Sequence, residues 1–164
     1  MVRRTLISLI ALSLAAQNGR YQHAATGVSF ALPAGWSVVD DGETVVLRDS
    51  VSNFEAAVWM RAEKHPTTQI QKLLVAAMDA KAASRTNLTG YQIRGDSIQT
   101  RVINGQQALS AVADYSRNGR PMNEYLTWIF SAKNHALFFG RVPAAKLDAF
   151  RTRLDAIVNS AMVP

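Results

Sequence analysis

Three histidines, His23, His65 and His135, are the side chains best suited by type to move a proton or hold a metal near neutral pH. Their settings argue against both roles. His23 lies in a polar connector, His65 precedes Pro66, and His135 follows Asn134 in a tight turn. None has a second ligand at helical spacing and no HExxH pattern occurs, so all three read as surface histidines. Asp40 and Asp41, with Gly42, Glu43 and nearby Asp49, could serve acid–base chemistry or hold a cation. Adjacent in an apparent hairpin turn and without EF-hand spacing, they read as a solvated turn. The chain has no cysteine, which excludes disulfides, thiolate metal sites and a Cys nucleophile. No G-x-S-x-G elbow marks a nucleophilic serine, although a triad built from distant loops would leave no local trace. The expectation is therefore no catalytic residue, no metal ligand and no cofactor.

Side chains suited to recognition are more informative, and they follow from strand register. Asn104-Gly105 and Asn118-Gly119 are dipeptides that two-residue type I′ hairpins demand, because both central residues need positive φ. Closing the second turn pairs Arg117 with Arg120 and sets Ala111 opposite Leu126 and Leu109 opposite Trp128. Closing the first pairs Ile103 with Gln106 and sets Thr100 opposite Leu109 and Ile98 opposite Ala111. A weaker turn at Asn134-His135 would set Trp128 opposite Arg141, a cation–π contact, and Phe130 opposite Phe139. The three closures agree on an apolar face of Ile98, Val102, Leu109, Ala111, Leu126, Trp128, Phe130, Leu137 and Phe139. The opposite face carries Ser97, Gln99, Arg101, Ser110, Val112, Tyr125, Thr127 and Ile129. A one-residue slip would exchange the two sets. Gln99, Arg101, Tyr125 and Thr127 are thus the candidate partner-binding face, Tyr and Arg being types that anchor interfaces. The alternative is that a helix or the N-terminal strands cover that face, since Val112 and Ile129 point the same way.

The elements that must position this face are legible in outline. Residues 96–142 read as a four-stranded antiparallel meander. Upstream, Val28 to Leu32 reads as a short strand ending at the turn Pro33-Ala34-Gly35 before Trp36. Thr44 to Arg48 and Phe54 to Arg61 are β-branched or aromatic enough for two more strands. Thr68 with Gln71 makes a capping-box pattern, and Ile70, Leu73, Leu74, Ala77 and Met78 recur at helical spacing to about Ser84. Pro143 suits a first helical position, and Leu147, Phe150, Leu154, Ile157 and Val158 line one face to about Ser160. The expected fold class is α+β: an antiparallel sheet of about six to seven strands flanked by two main helices. Trp36 and Trp128 read as packing residues, not a sugar platform.

Gly27-Val28-Ser29-Phe30-Ala31-Leu32-Pro33-Ala34-Gly35-Trp36 resembles the opening strand and P-x-G-W turn of the PsbP-like superfamily. The resemblance continues through Asn104 to Ala108, the hairpin at Asn118-Gly119, Phe138-Phe139-Gly140, and a last helix closing on Ile157 to Ser160. That superfamily includes the lumenal extrinsic protein of photosystem II and bacterial DcrB-type envelope proteins. The resemblance implies an antiparallel sheet with flanking helices, used for binding or assembly. It carries over no functional residue, because the matching positions are packing and turn residues.

The N-terminus addresses the chain outward. Arg3 and Arg4 precede an uncharged apolar run from Thr5 to Leu14, with small residues at Ser13, Ala15 and Ala16. This is the anatomy of a secretory signal peptide, too short to span a bilayer. The expected organisation is a signal peptide at 1–15, a connector at 16–26 and one domain at 27–164. Removing Arg3 and Arg4 lowers the formal charge from +6 to +4, with the remaining basic residues dispersed. A clustered footprint for nucleic acid is lacking. Zero cysteine also removes a lipid-attachment residue, so no stable membrane anchor is expected after cleavage. The chain reads as a periplasmic or secreted non-enzymatic binding, assembly or accessory protein acting with an envelope protein. The alternatives are a hydrolase accessory or loop-built hydrolase, and a small hydrophobic-ligand or lipid carrier.

Overall fold

A computed structural model describes residues 19–40, 44–62 and 88–164, together with Lys72 and Ala76. A short ribbon pairs β1 (Arg20–Gln22) with β2 (Ser29–Ala31). The main sheet holds eight strands: β3 (Trp36–Asp40), β4 (Thr44–Asp49), β5 (Phe54–Arg61), β6 (Thr89–Ile93), β7 (Gln99–Ile103), β8 (Gln106–Arg117), β9 (Arg120–Phe130) and β10 (His135–Pro143). Its order is β3-β4-β5-β10-β9-β8-β6, with β7 also paired to β8, and every pairing is antiparallel. A 3₁₀ turn at Ala144–Lys146 leads into helix α1 (Leu147–Val158).

This corrects the expected architecture. Among the described residues the fold is mostly strand, with one α-helix rather than two main helices. The helix expected over Thr68 to Ser84 lies outside the described residues apart from Lys72 and Ala76. The strand count was low because three strands lack clean alternation: β1 is short and polar, β3 follows a turn, and β6 contains Gly90 and a register shift between Thr89 and Gln92. Arg20–Gln22 thus pairs within the stretch expected to be a connector.

The two Asn-Gly turns set their hairpins as anticipated. Asn104 and Gly105 adopt φ of 50° and 79°, and Asn118 and Gly119 adopt 53° and 74°. Ile103 faces Gln106, Thr100 faces Leu109, Arg117 faces Arg120 and Leu109 faces Trp128. At its other end β7 starts only at Gln99, because a 3₁₀ turn occupies Gly95–Ser97, so Ile98 forms no strand pair.

The third turn differs. The loop spans residues 131–134, where the Ser131 N–H and Oγ–H both bond the Asn134 carbonyl. Trp128 therefore faces Leu137, not Arg141, and Phe130 faces His135, not Phe139. Arg141 faces Glu124, four residues along β9 from the position opposite Trp128 that was expected for it. The slip is an even number of residues, so the face assignments survive it. It also makes His135 a strand residue. His135 is buried rather than on the surface, its ring 5.4 Å from Trp128 and 5.7 Å from Trp59.

Both faces of the sheet are covered. One buries Leu109, Ala111, Leu126, Trp128, Phe130 and Leu137. The other carries α1 and the β1–β2 ribbon, burying Phe30, Leu47, Val58, Ile129, Phe138, Phe150, Leu154 and Ile157 together. Helix and sheet meet closely at Gly140. A Cβ there would lie 2.3 Å from Phe150 Cζ and 2.9 Å from the Glu55 carbonyl, so only glycine fits. The last residues return over the sheet, where Ser29 and Met162 exchange backbone bonds of 3.0 and 2.8 Å.

Candidate functional site

Gln99, Arg101, Tyr125 and Thr127 lie on one sheet face, as period-two reading requires: Gln99 faces Ser110, which faces Thr127. This is the face that α1 covers. Tyr125 and Thr127 are buried at 1% and 0% exposure. Arg101 is half-buried and Gln99 is exposed at the sheet edge. A flat exposed band across three strands is therefore not present. Central strand β9 is enclosed on both sides, so its polar side chains face the helix instead of solvent.

Inside, these polar groups satisfy one another. Arg101 Nη1 donates to Ser110 Oγ at 3.2 Å, to the Tyr125 hydroxyl at 3.2 Å and to Asp155 Oδ1 at 3.0 Å. Its Nη2 donates to Asn159 Oδ1 at 2.6 Å. The Tyr125 hydroxyl donates to Asp155 Oδ1 at 2.8 Å, and Ser110 and Thr127 hydroxyls meet at 2.9 Å. Burial works against the Arg101 charge. The bond and charge of Asp155, with Tyr125, more than offset it and hold the guanidinium above its ordinary value. Beyond Asp155, Arg151 lies over the Tyr125 ring at 5.4 Å. The network ties edge strand β7 to the last turns of α1. Turn residue Asn104 extends the tie, donating to the carbonyls of Asn159 and Ala161 at 3.2 and 2.8 Å.

Sequence reasoning did not name Asp155 and Asn159, although a signal existed. Arg151, Asp155 and Asn159 recur at four-residue spacing beside the apolar stripe of α1, which places all three on one flank of the helix. It also missed two further ion pairs. Arg153 reaches from α1 to Asp49 on β4 with two bonds of 2.7 Å, the Asp49 side chain being fully buried. On the opposite sheet face, fully buried Glu124 accepts from the Tyr91 hydroxyl at 2.5 Å and lies 2.8 Å from Arg141 Nη2. Asp49 is held below the ordinary carboxylate range. Burial alone would raise it, but the bonds and charge of Arg153, with the Val51 N–H, prevail.

Of the histidines, His23 Nδ1 meets Thr26 Oγ1 at 2.8 Å, and His65 lies outside the described residues. Asp41 to Glu43 also lie outside them, while Asp40 accepts a bond from the Tyr21 hydroxyl. Among the described residues no helix is long and apolar enough to cross a membrane.

No family model and no curated protein matches the sequence. Among solved structures, cyanobacterial PsbP from Synechocystis sp. PCC 6803 is similar, with a TM-score of 0.64 and 17% identity over 88% of this chain and 91% of that one. LpqN, described as involved in cell envelope biogenesis of Mycobacterium tuberculosis, is similar with a TM-score of 0.63 and 11% identity over 88% and 90%. A protein from Bacteroides thetaiotaomicron VPI-5482 is similar with a TM-score of 0.58 and 9% identity, over 89% of this chain but 48% of that one. At such identities the likeness is one of fold. The fold is PsbP-like.

Proposed function

We propose that this chain is an exported accessory protein of the bacterial envelope, acting by binding or assembly rather than by catalysis. The observation that carries the reading is the fold likeness to PsbP and to an envelope-biogenesis protein over nearly the whole chain. The disposition of charge supports it. Arg101–Asp155, Arg153–Asp49 and Arg141–Glu124 each join two strands, or a strand and the helix, so the inward-facing charges hold the scaffold together. In this reading recognition falls to the part of the candidate face that keeps surface, Gln99 and the rim of Arg101. Tyr125 and Thr127 support it from beneath.

The test is export and capture in a Gram-negative host carrying the native leader. The mature protein is expected in the periplasm, beginning near Ala16 or Gln17. A photo-crosslinker at Gln99 should then join it to a defined envelope protein. A full-length cytosolic product, or turnover of an ester or peptide substrate by the purified protein, would overturn the reading.

A further inference from the structure

The sheet has three strands with an outer edge, and β7 is the least defended. β6 is interrupted by its register shift, and β3 ends in the charge of Asp40. β7 carries neither proline nor bulge. Its single charge, Arg101, is turned onto the helix side and held there by Asp155 and Asn159. Edge strands usually spend a charge on blocking a further strand, and here that charge is withdrawn. Val102 stands beside it at 75% exposure, the most exposed large hydrophobic among the described residues.

Register says which backbone groups face out. Ile103 and Gln106 flank a two-residue turn and form a hydrogen-bonded pair, so alternate residues Arg101 and Gln99 also bond to β8. Thr100 and Val102 are the non-bonded positions, and each points its N–H and C=O away from the sheet. Among the described residues nothing bonds to these groups.

We infer that β7 pairs with β7 of a second copy of this chain, forming a two-fold antiparallel junction centred on Arg101. With Arg101 opposite its own counterpart, Thr100 of each copy faces Val102 of the other. Those are the residues whose N–H and C=O point outward, so this one register satisfies all four groups on each strand. It also buries Val102 against a β-branched threonine on the face away from the helix, a favourable cross-strand pair. The two arginines at the centre do not oppose each other as free charges, because each is already paired with its own Asp155. Self-complementarity of this kind is what a two-fold interface requires. Dimerisation goes beyond the accessory reading and is read on the purified protein alone, so either can fail without the other.

Analytical ultracentrifugation of the mature protein from micromolar to millimolar concentration should show a monomer–dimer equilibrium. Thr100→Pro removes an N–H that the monomer does not use, and Val102→Lys places a charge on the open edge. Each should raise the dimer dissociation constant about tenfold or more. Because the chain has no cysteine, the double variant Thr100→Cys with Val102→Cys provides a geometric check. Oxidation should give a disulfide-linked dimer, since residues two apart on one strand hold their Cβ atoms about 6–7 Å apart, beyond the ~3.5–4.5 Å that a disulfide spans. A monomer throughout the range overturns the inference and leaves the edge to a strand of another protein. So does a dimer whose affinity neither single variant changes, or oxidation that yields no covalent dimer.

Discussion

Helix α1 is tied to the sheet at two places, and the ties have opposite polarity. Toward β4 the helix supplies the arginine and the sheet supplies the acid, Arg153 with Asp49. Toward β7 the sheet supplies the arginine and the helix the acid, Arg101 with Asp155. The first is a bidentate pair whose carboxylate is completely enclosed. The second is a network of hydroxyls and amides whose charged members each keep 22% of their side-chain surface. An enclosed charge depends on its partner, because water cannot replace it. A charge at the rim has water as a substitute. The difference separates a tie that the fold requires from one that can sit beside a working surface.

The comparison breaks first at Arg153. Arg153→Ala strands the Asp49 carboxylate in the core, and a loss of roughly 3–5 kcal/mol is expected by urea denaturation. A loss below about 1 kcal/mol would mean that Asp49 is accommodated without its partner. Next in size is the point between the two ties. Gly140→Ala drives a methyl against Phe150 and the Glu55 backbone, with an expected cost of about 1–3 kcal/mol from overpacking. If the variant matches the wild type, α1 is not held as close to β10 as described. Arg101→Ala should cost less, about 1 kcal/mol, since solvent reaches Asp155 once the arginine is gone. A loss as large as that of Arg153→Ala would erase the distinction between the ties.

The smallest expected change is in slope. Asp49 has a folded value below that of the unfolded chain. Its stabilisation is therefore complete above the unfolded carboxylate value of ~3.9 and is lost as pH falls through the lower folded value. The stability gap between wild type and Asp49→Asn should narrow steadily on acidification below pH ~4. Parallel curves would show that the carboxylate does not titrate with the fold.

Much of the sheet could be read directly from the residues, because the signals are local. Asn-Gly turns demand positive φ at both positions, and that alone fixes which residues of β7, β8 and β9 face each other. The turn before β10 was misread for the converse reason. Its four residues are held partly from outside, the Asn134 amide bonding the carbonyls of Thr26 and Pro164, so no local pattern encodes it. Local periodicity also placed Gln99, Arg101, Tyr125 and Thr127 on a single face, but could not say which way that face turned. Ser110, Tyr125 and Thr127 look like outward residues until Arg101 and Asp155 are brought to meet them, 54 residues apart. The same holds for Asp49 and Arg153, 104 residues apart. Register and turn type are properties of neighbours along the chain, and the sequence by itself determined them. Whether a polar face is surface or core depends on what packs against it, and only the tertiary structure decided that.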